Sequence, residues 1–259
     1  MSARRSRATN IAGGLAALSS VAAMIATPLQ RKGHRRATAT ITVVGLAVTT
    51  ATISARRWGW RRTSSAIALT VGSTWALERV GSRTAFPFGR YRYSGALRPA
   101  VGGVPAIVPL AWFAMALPAR EASRGLVPRT APAFARAGAG AMALTAWDLF
   151  LDPQMVGEGY WTWARRGRYR GIPASNYAGW LVASGALMAA LDAVLPDDDG
   201  PVTPLRAQYS YMAVMQTLGF ARFFRDRLVA VVGGAAMGSI AVRSWWTSPT
   251  APGDRSGGR

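Results

Sequence analysis

The sequence predicts an all-α fold, a polytopic transmembrane helix bundle of about eight spans, with seven as the lower count. Three observations carry this. Only 16% of the 259 residues are charged, where soluble domains carry about a quarter. Apolar runs of the ~17–22 residues that a helix needs to cross ~30 Å of hydrocarbon recur along the chain. The net charge of +20 is dispersed as short arginine clusters between those runs, as loop charges of membrane proteins are. That dispersal argues against nucleic acid, the partner a basic chain would otherwise suggest. The chain has no cysteine, which excludes disulfides and thiolate metal sites. Its single histidine, His34, lies in the basic run from Arg31 to Arg36 and reads as exposed rather than as a ligand.

The first run, Ile11 to Leu29, follows Arg4, Arg5 and Arg7. Basic then apolar is also how a signal peptide begins, but the run is long for one and lacks a small-x-small cleavage site, so it reads as a retained first span. The second, Ala37 to Ala55, ends in Arg56, Arg57, Arg61 and Arg62, with Trp58 and Trp60 between them as interfacial anchors. The third is Ser64 to Val80 and carries Glu78 near its end. The fourth, Ala100 to Pro118, contains Pro105 and Pro109, expected to bend it and free carbonyls. The glycine pair Gly102-Gly103 within it, like Gly13-Gly14, reads as helix packing. The fifth, Thr130 to Leu151, is expected to stop at Pro153. The sixth is Ser175 to Leu195. The seventh, Leu205 to Ala221, is the weakest; Gln208, Tyr209, Tyr211 and Gln216 turn it toward other helices. The eighth, Leu228 to Trp246, has Gly233, Gly234 and Gly238 for close contact. Positions 1–246 read as one integral-membrane domain and 247–259 as a disordered tail. No internal repeat is evident. The Asp-rich turn from Pro196 to Pro201 puts its side outside, with both termini external and the long loops inside.

Parity is firmer than orientation. The long loops after the third and fifth spans share one side. Glu78, Asp148, Asp152 and Asn176 therefore lie at one membrane face, together with the aromatics of 86–93 and 157–163. The densest stretch is Thr145 to Trp163, which follows the apolar fifth run directly.

Asp148 and Asp152 stand at i and i+4, one turn apart on one helix face if the helix persists to Pro153. Carboxyls within the membrane boundary are costly and usually functional, and a close pair can share a proton. The plainer alternatives are that Asp152-Pro153 ends the span, that Asp148 pairs with an arginine, and that Glu78 pairs with Arg79. Glu158, between glycines, reads as a solvated loop charge. An interfacial belt accounts for Trp58, Trp60, Trp245 and Trp246. It accounts less well for Tyr160 to Trp163, whose faces would stabilise a cation. A buried acid beside aromatic faces suits protonation of an alkene. One remote histidine rules out Ser/His/Asp and Cys/His arrangements, and no phosphate loop, dinucleotide fingerprint or metal-ligand cluster is present.

Six segments carry a resemblance: Phe86-Pro-Phe-Gly-Arg-Tyr-Arg-Tyr93, Gly103 to Trp112, Thr145-Ala-Trp-Asp-Leu-Phe-Leu-Asp-Pro-Gln-Met155, Gly159-Tyr-Trp-Thr-Trp163, Gly171-Ile-Pro-Ala-Ser-Asn176 and Gly179-Trp180. From about Ser64 to Val242 the chain resembles the CruF-type carotenoid biosynthesis proteins, which include carotenoid 1,2-hydratases and bisanhydrobacterioruberin hydratase. The resemblance implies a membrane enzyme that adds water to the terminal double bond of an acyclic carotenoid end, giving a tertiary alcohol without a cofactor. Its expected partners are the carotenoid, membrane lipid and other membrane enzymes of the pathway, in the cell membrane. On this reading Asp148 donates the proton and Asp152 tunes it or helps position the water, with Glu78 as the alternate acid. Trp147, Tyr160 and Trp161 face the cation; Trp163 and Phe88 line the same site; Asn176 and Tyr91 hold the water. A non-catalytic carotenoid-binding or assembly protein remains an alternative, as does a transporter, although the span interiors are nearly uncharged.

Overall fold

The computed structural model describes residues 3–128, 130–196 and 202–246. Seven helices account for most of them: α1 (Ala3–Ala26), α2 (Arg35–Thr84), α3 (Ile107–Ser123), α4 (Ala133–Glu158), α5 (Ala174–Val194), α6 (Thr203–Leu218) and α7 (Arg227–Trp246). A 3₁₀ turn, Thr27–Leu29, follows α1, and a π turn, Gly219–Phe223, follows α6. The fold is an all-α membrane bundle. Among the described residues, four stretches are long and apolar enough to cross a membrane: Arg7–Leu29, Arg35–Thr84, Ala174–Val194 and Arg227–Trp246.

The 50 residues of α2 would reach about 75 Å as one straight rod, more than twice the hydrocarbon thickness. They do not form one. Gly59 has φ 79° and ψ 158°, a left-handed extended conformation open essentially to glycine alone. Ala39 and Glu78 line the same cavity, though a straight helix would hold them about 58 Å apart. The chain therefore reverses at Gly59 into a helical hairpin with arms 35–58 and 60–84. Trp58, at the bend, is buried and donates its indole N–H to Pro196 O (3.2 Å) beyond the end of α5. It is a packing residue rather than a lipid-facing anchor. Counting the two arms separately, eight helical segments occupy the places of the eight predicted runs.

Two runs are bounded differently from expectation. Residues 100–105 are not helical. Short strands β2 (Ala100–Val101) and β3 (Val104–Pro105) form a hairpin whose tip is Gly102 and Gly103, at φ 59° and 86°. Those glycines turn the chain rather than pack helices. Pro105 precedes α3 and Pro109 sits in its first turn, where no intrahelical N–H is missed. Neither bends the helix. The other correction concerns α4, which runs through Pro153 to Glu158 instead of stopping.

Prolines are nonetheless present inside helices, at Pro118 and Pro153. Each lacks an N–H and so orphans the carbonyl four residues earlier. Both orphans are capped by side chains from elsewhere in the bundle. Ala114 O accepts from Gln208 Nε2 (2.9 Å) and Thr50 Oγ1 (3.1 Å), and Leu149 O accepts from Tyr169 Oη (2.9 Å). In a membrane, where water cannot do this, such neighbours are what make an internal proline tolerable.

Close helix packing is present where small residues predicted it. A Cβ at Gly13 would lie 2.5 Å from Thr52 Oγ1, and one at Gly233 would lie 2.8 Å from the Phe150 ring. Gly14 and Gly238 face open space. Gln208, Tyr209 and Gln216 on α6 are buried among other helices, as the weak hydropathy of that run implied. At the end of the bundle near Gly59, Arg120 donates to Glu121 (2.8 Å), Asp192 (2.6 Å) and Leu195 O (3.1 Å). Glu121 in turn accepts from Val202 N (2.8 Å), so buried charges lock α3, α5 and α6 together there. His34 is exposed. The expected Asp-rich turn at 197–201 and the tail at 247–259 lie outside the described residues.

Candidate active site

The two long connections, after α2 and after α4, meet at the end of the bundle opposite Gly59. Strand β1 (Tyr91–Tyr93) pairs antiparallel with β4 (Trp161–Trp163), placing Tyr91 opposite Trp163 and Tyr93 opposite Trp161. Side chains alternate along a strand, so these four aromatics share one face while Arg92 and Thr162 take the other and are exposed. The tyrosine and tryptophan rings pack at 5.2 Å (Tyr91 with Trp163) and 5.8 Å (Tyr93 with Trp161). This two-stranded flap covers a cavity of about 90 Å³ between the ends of α2, α3, α4 and α5.

Two carboxyls reach that cavity. Glu78, from the second arm of α2, accepts hydrogen bonds on one oxygen, Oε2, from the hydroxyls of Tyr91 and Tyr93 (2.7 Å for Tyr93). It is not paired with Arg79. Burial, reinforced by the Glu78 carboxylate, pushes both tyrosine hydroxyls well above their usual range, so they remain protonated donors. Asp152, from α4, accepts from Trp161 Nε1 at 2.9 Å and from Asn176 Nδ2 at 2.5 Å. The same Asn176 nitrogen donates to Asp148 Oδ2 at 2.8 Å. The i, i+4 spacing thus does bring both aspartates to one face, bridged by a single amide from the first turn of α5. No arginine joins them, and Asp152 does not end the helix.

The predicted residues divide into two sets. Glu78, Phe88, Tyr91, Asp152, Tyr160, Trp161, Trp163 and Asn176 all line the cavity. Asp148 and Trp147 do not. Asp148 is fully buried behind Asn176, with its Oδ1 unpartnered. Trp147 lines a neighbouring cavity and meets this one only through an edge contact with Trp180 (6.1 Å, 79°). Glu158 is neither solvated nor in a loop; it ends α4 and pairs with Arg35 at 2.6 Å.

Three residues escaped individual notice in the sequence. Tyr93 follows from Tyr91 by strand alternation once the segment is read as extended. Trp112 and Trp180 stack face to face at 3.9 Å and 9° and wall the cavity from α3 and α5; they stood inside the recognised segments without an assigned role. Among the described residues, the cavity lining contains no Lys, Arg or His. Nor do those residues contain any group of three or more His, Cys, Asp or Glu side chains placed to hold a metal ion. The arrangement is therefore two carboxyls in an aromatic chamber, each bound by neutral donors.

Comparison with known proteins bears on this chamber. A family model described as "Carotenoid biosynthesis protein" matches residues 18–241, and so takes in part of the first run and all of the second as well as the six segments that carry the resemblance. A bisanhydrobacterioruberin hydratase from Haloarcula japonica is 33% identical over 128 residues. That stretch covers 49% of this chain and 43% of the relative, so the alignment reaches less than half of that protein's length. No solved structure matches the chain.

Proposed function

The chain belongs to the carotenoid biosynthesis protein family, and from that premise we propose that it adds water across the terminal 1,2 double bond of an acyclic carotenoid end, by acid catalysis. The observation that carries the reading is the placement of Asp152 and Glu78 in one aromatic cavity whose lining carries no cationic side chain. A trisubstituted alkene is a weak base. Its protonation needs an acid held out of water, and the cation it forms needs a surface that stabilises without trapping it. Aromatic faces supply that surface.

The two aspartates bridged by Asn176 share one proton, because two ionised carboxyls side by side in so apolar a setting would be severely penalised. Asp152 is the member that reaches the cavity, so it is the donor, with Asp148 behind it as the proton's alternative seat. This reverses the roles expected for the two aspartates in the sequence analysis. The proton passes from Asp152 to C2, leaving a tertiary cation at C1 facing Tyr91, Trp161 and Trp163. Water held at Glu78 attacks C1. As the new C–O bond forms, the water's proton passes to Glu78, whose carboxyl is held in place by the Tyr91 and Tyr93 hydroxyls. Return of that proton to the aspartate pair completes the cycle, and water is the sole reagent consumed.

The setting is the cell membrane, with the helical segments crossing it as a multi-pass bundle. The test is expression in a host that accumulates an acyclic carotenoid, with pigments weighed by mass spectrometry. The wild-type chain should add one water per reacted end, and Asp152→Asn should remove the product. Undiminished hydroxylated pigment from Asp152→Asn would take that residue out of the mechanism. A cyclised or unchanged pigment from the wild type would count against hydration and leave carotenoid binding as the function.

A further inference from the structure

A second cavity, about 240 Å³ against about 90 Å³ for the reaction chamber, lies beside the first. The two have Ala39, Val43, Ala111, Leu151 and Met155 in common, so one wall serves both. No Asp, Glu, Lys, Arg or His lines the second cavity. Of its polar groups, the Thr27 and Thr42 hydroxyls donate to carbonyls of their own helices, Ala23 and Thr38. Gln154, Gln216 and the Trp147 indole are its other polar side chains; the rest of the lining is apolar and rich in methionine, with Met24, Met115, Met155, Met212 and Met215 around the space. Methionine is flexible and polarizable, and it lines surfaces that accept long apolar ligands without one rigid fit.

The outer rim of this cavity belongs to the 3₁₀ turn after α1 and the π turn after α6. Ile25, Leu29, Leu218 and Phe223 stand there with about half or more of their surface exposed and give the rim an apolar edge. Arg35 ties the two lips together. It donates to Gln30 O (3.0 Å) behind the 3₁₀ turn, pairs with Glu158 (2.6 Å) at the end of α4, and lies 5.0 Å over the Phe224 ring. A π turn interrupts regular helix and commonly marks a functional position.

We propose that this second cavity is the binding channel for the chain of the substrate, a long apolar polyene that enters sideways from lipid between the two turns and passes its end group to the aspartate chamber. The proposal rests on the hydration reading for the identity of the occupant. The small chamber takes only the reacting end; the larger channel takes the adjoining conjugated chain, and anything longer extends through the rim into the bilayer.

The test uses Met212→Trp and Met215→Trp, which fill the channel from α6 at positions that do not line the chamber. Two readouts are taken on the detergent-solubilised full chain. One is the pigment that co-purifies, measured by absorbance. The other is turnover of a full-length acyclic carotenoid relative to a short acyclic terpene hydrocarbon with the same end group. Each variant should lower retained pigment, and should lower the full-length to short-chain turnover ratio by about tenfold, as expected for overfilling a packed space. Retained pigment with an unchanged ratio in both variants would overturn the channel. If the wild type hydrates neither substrate, the hydratase reading fails. Pigment held by the wild type and by Asp152→Asn but lost in Met212→Trp would still support the channel.

Discussion

At the scale of single residues, the chemistry turns on which carboxyl touches the substrate. Asp152→Asn keeps the size and the Trp161 contact but removes the transferable proton, so hydration should fall by about 10²–10⁴-fold, the usual worth of a general acid. Asp148→Asn removes a partner that does not reach the cavity. It should cost less than Asp152→Asn and should alter the pH dependence of the remaining activity, which a pH–rate profile in detergent would read. Tyr91→Phe and Tyr93→Phe each remove one donor to Glu78 Oε2, and each should lower turnover by about 10–100-fold, the value of a hydrogen bond to a charged group. The double variant should behave much like Glu78→Gln. The identities of these residues were legible in the sequence, because carboxyls at a membrane face and aromatics beside them are unusual enough to stand out. Their division of labour was not. The i, i+4 spacing places Asp148 and Asp152 on one face, but only the packing of α5 against α4 decides that Asn176 lies over the first and leaves the second open.

At the scale of elements, apolar run length located all eight helical segments, because the hydrocarbon thickness sets that length. It misjudged ends where a neighbour far along the chain supplies the missing partner. Pro153 reads as a stop when only α4 is considered, yet Tyr169 caps Leu149 O from the next connection. The same holds at Pro118, where Thr50 and Gln208 cap Ala114 O. Replacing these caps together, as Thr50→Val with Gln208→Leu, should destabilise the protein by about 1–3 kcal/mol for the buried unpaired carbonyl. Adding Pro118→Ala, which restores an N–H to that carbonyl, should recover part of the loss in thermal unfolding. If the triple variant unfolds no later than the double, the capping argument is wrong. Residues 100–105 were misread for a related reason. Their apolar composition matches a helix start, while Gly102-Gly103 was a turn signal that composition outweighed.

At the scale of the whole molecule, the reversal at Gly59 sets the parity on which the site depends. It puts Gly59, the connection between α3 and α4, the start of α1 and the end of α7 on one side, with the two long aromatic connections on the other. Because the chain has no cysteine, single introduced thiols report this cleanly. Ser65→Cys and Thr130→Cys should be labelled by an impermeant reagent from one face, and Ser94→Cys and Thr162→Cys from the opposite face. Equal labelling of all four from one face would break the bundle topology and, with it, the convergence of Glu78 and Asp152. The central claim, that these two carboxyls add water to an alkene, is tested most directly by the source of the product's oxygen. The purified protein would be supplied with an acyclic carotenoid in water enriched in heavy oxygen, without molecular oxygen, and the pigment weighed. A tertiary alcohol carrying one heavy oxygen at each reacted end is expected. Product with unlabelled oxygen, or no product until molecular oxygen is admitted, would contradict that claim.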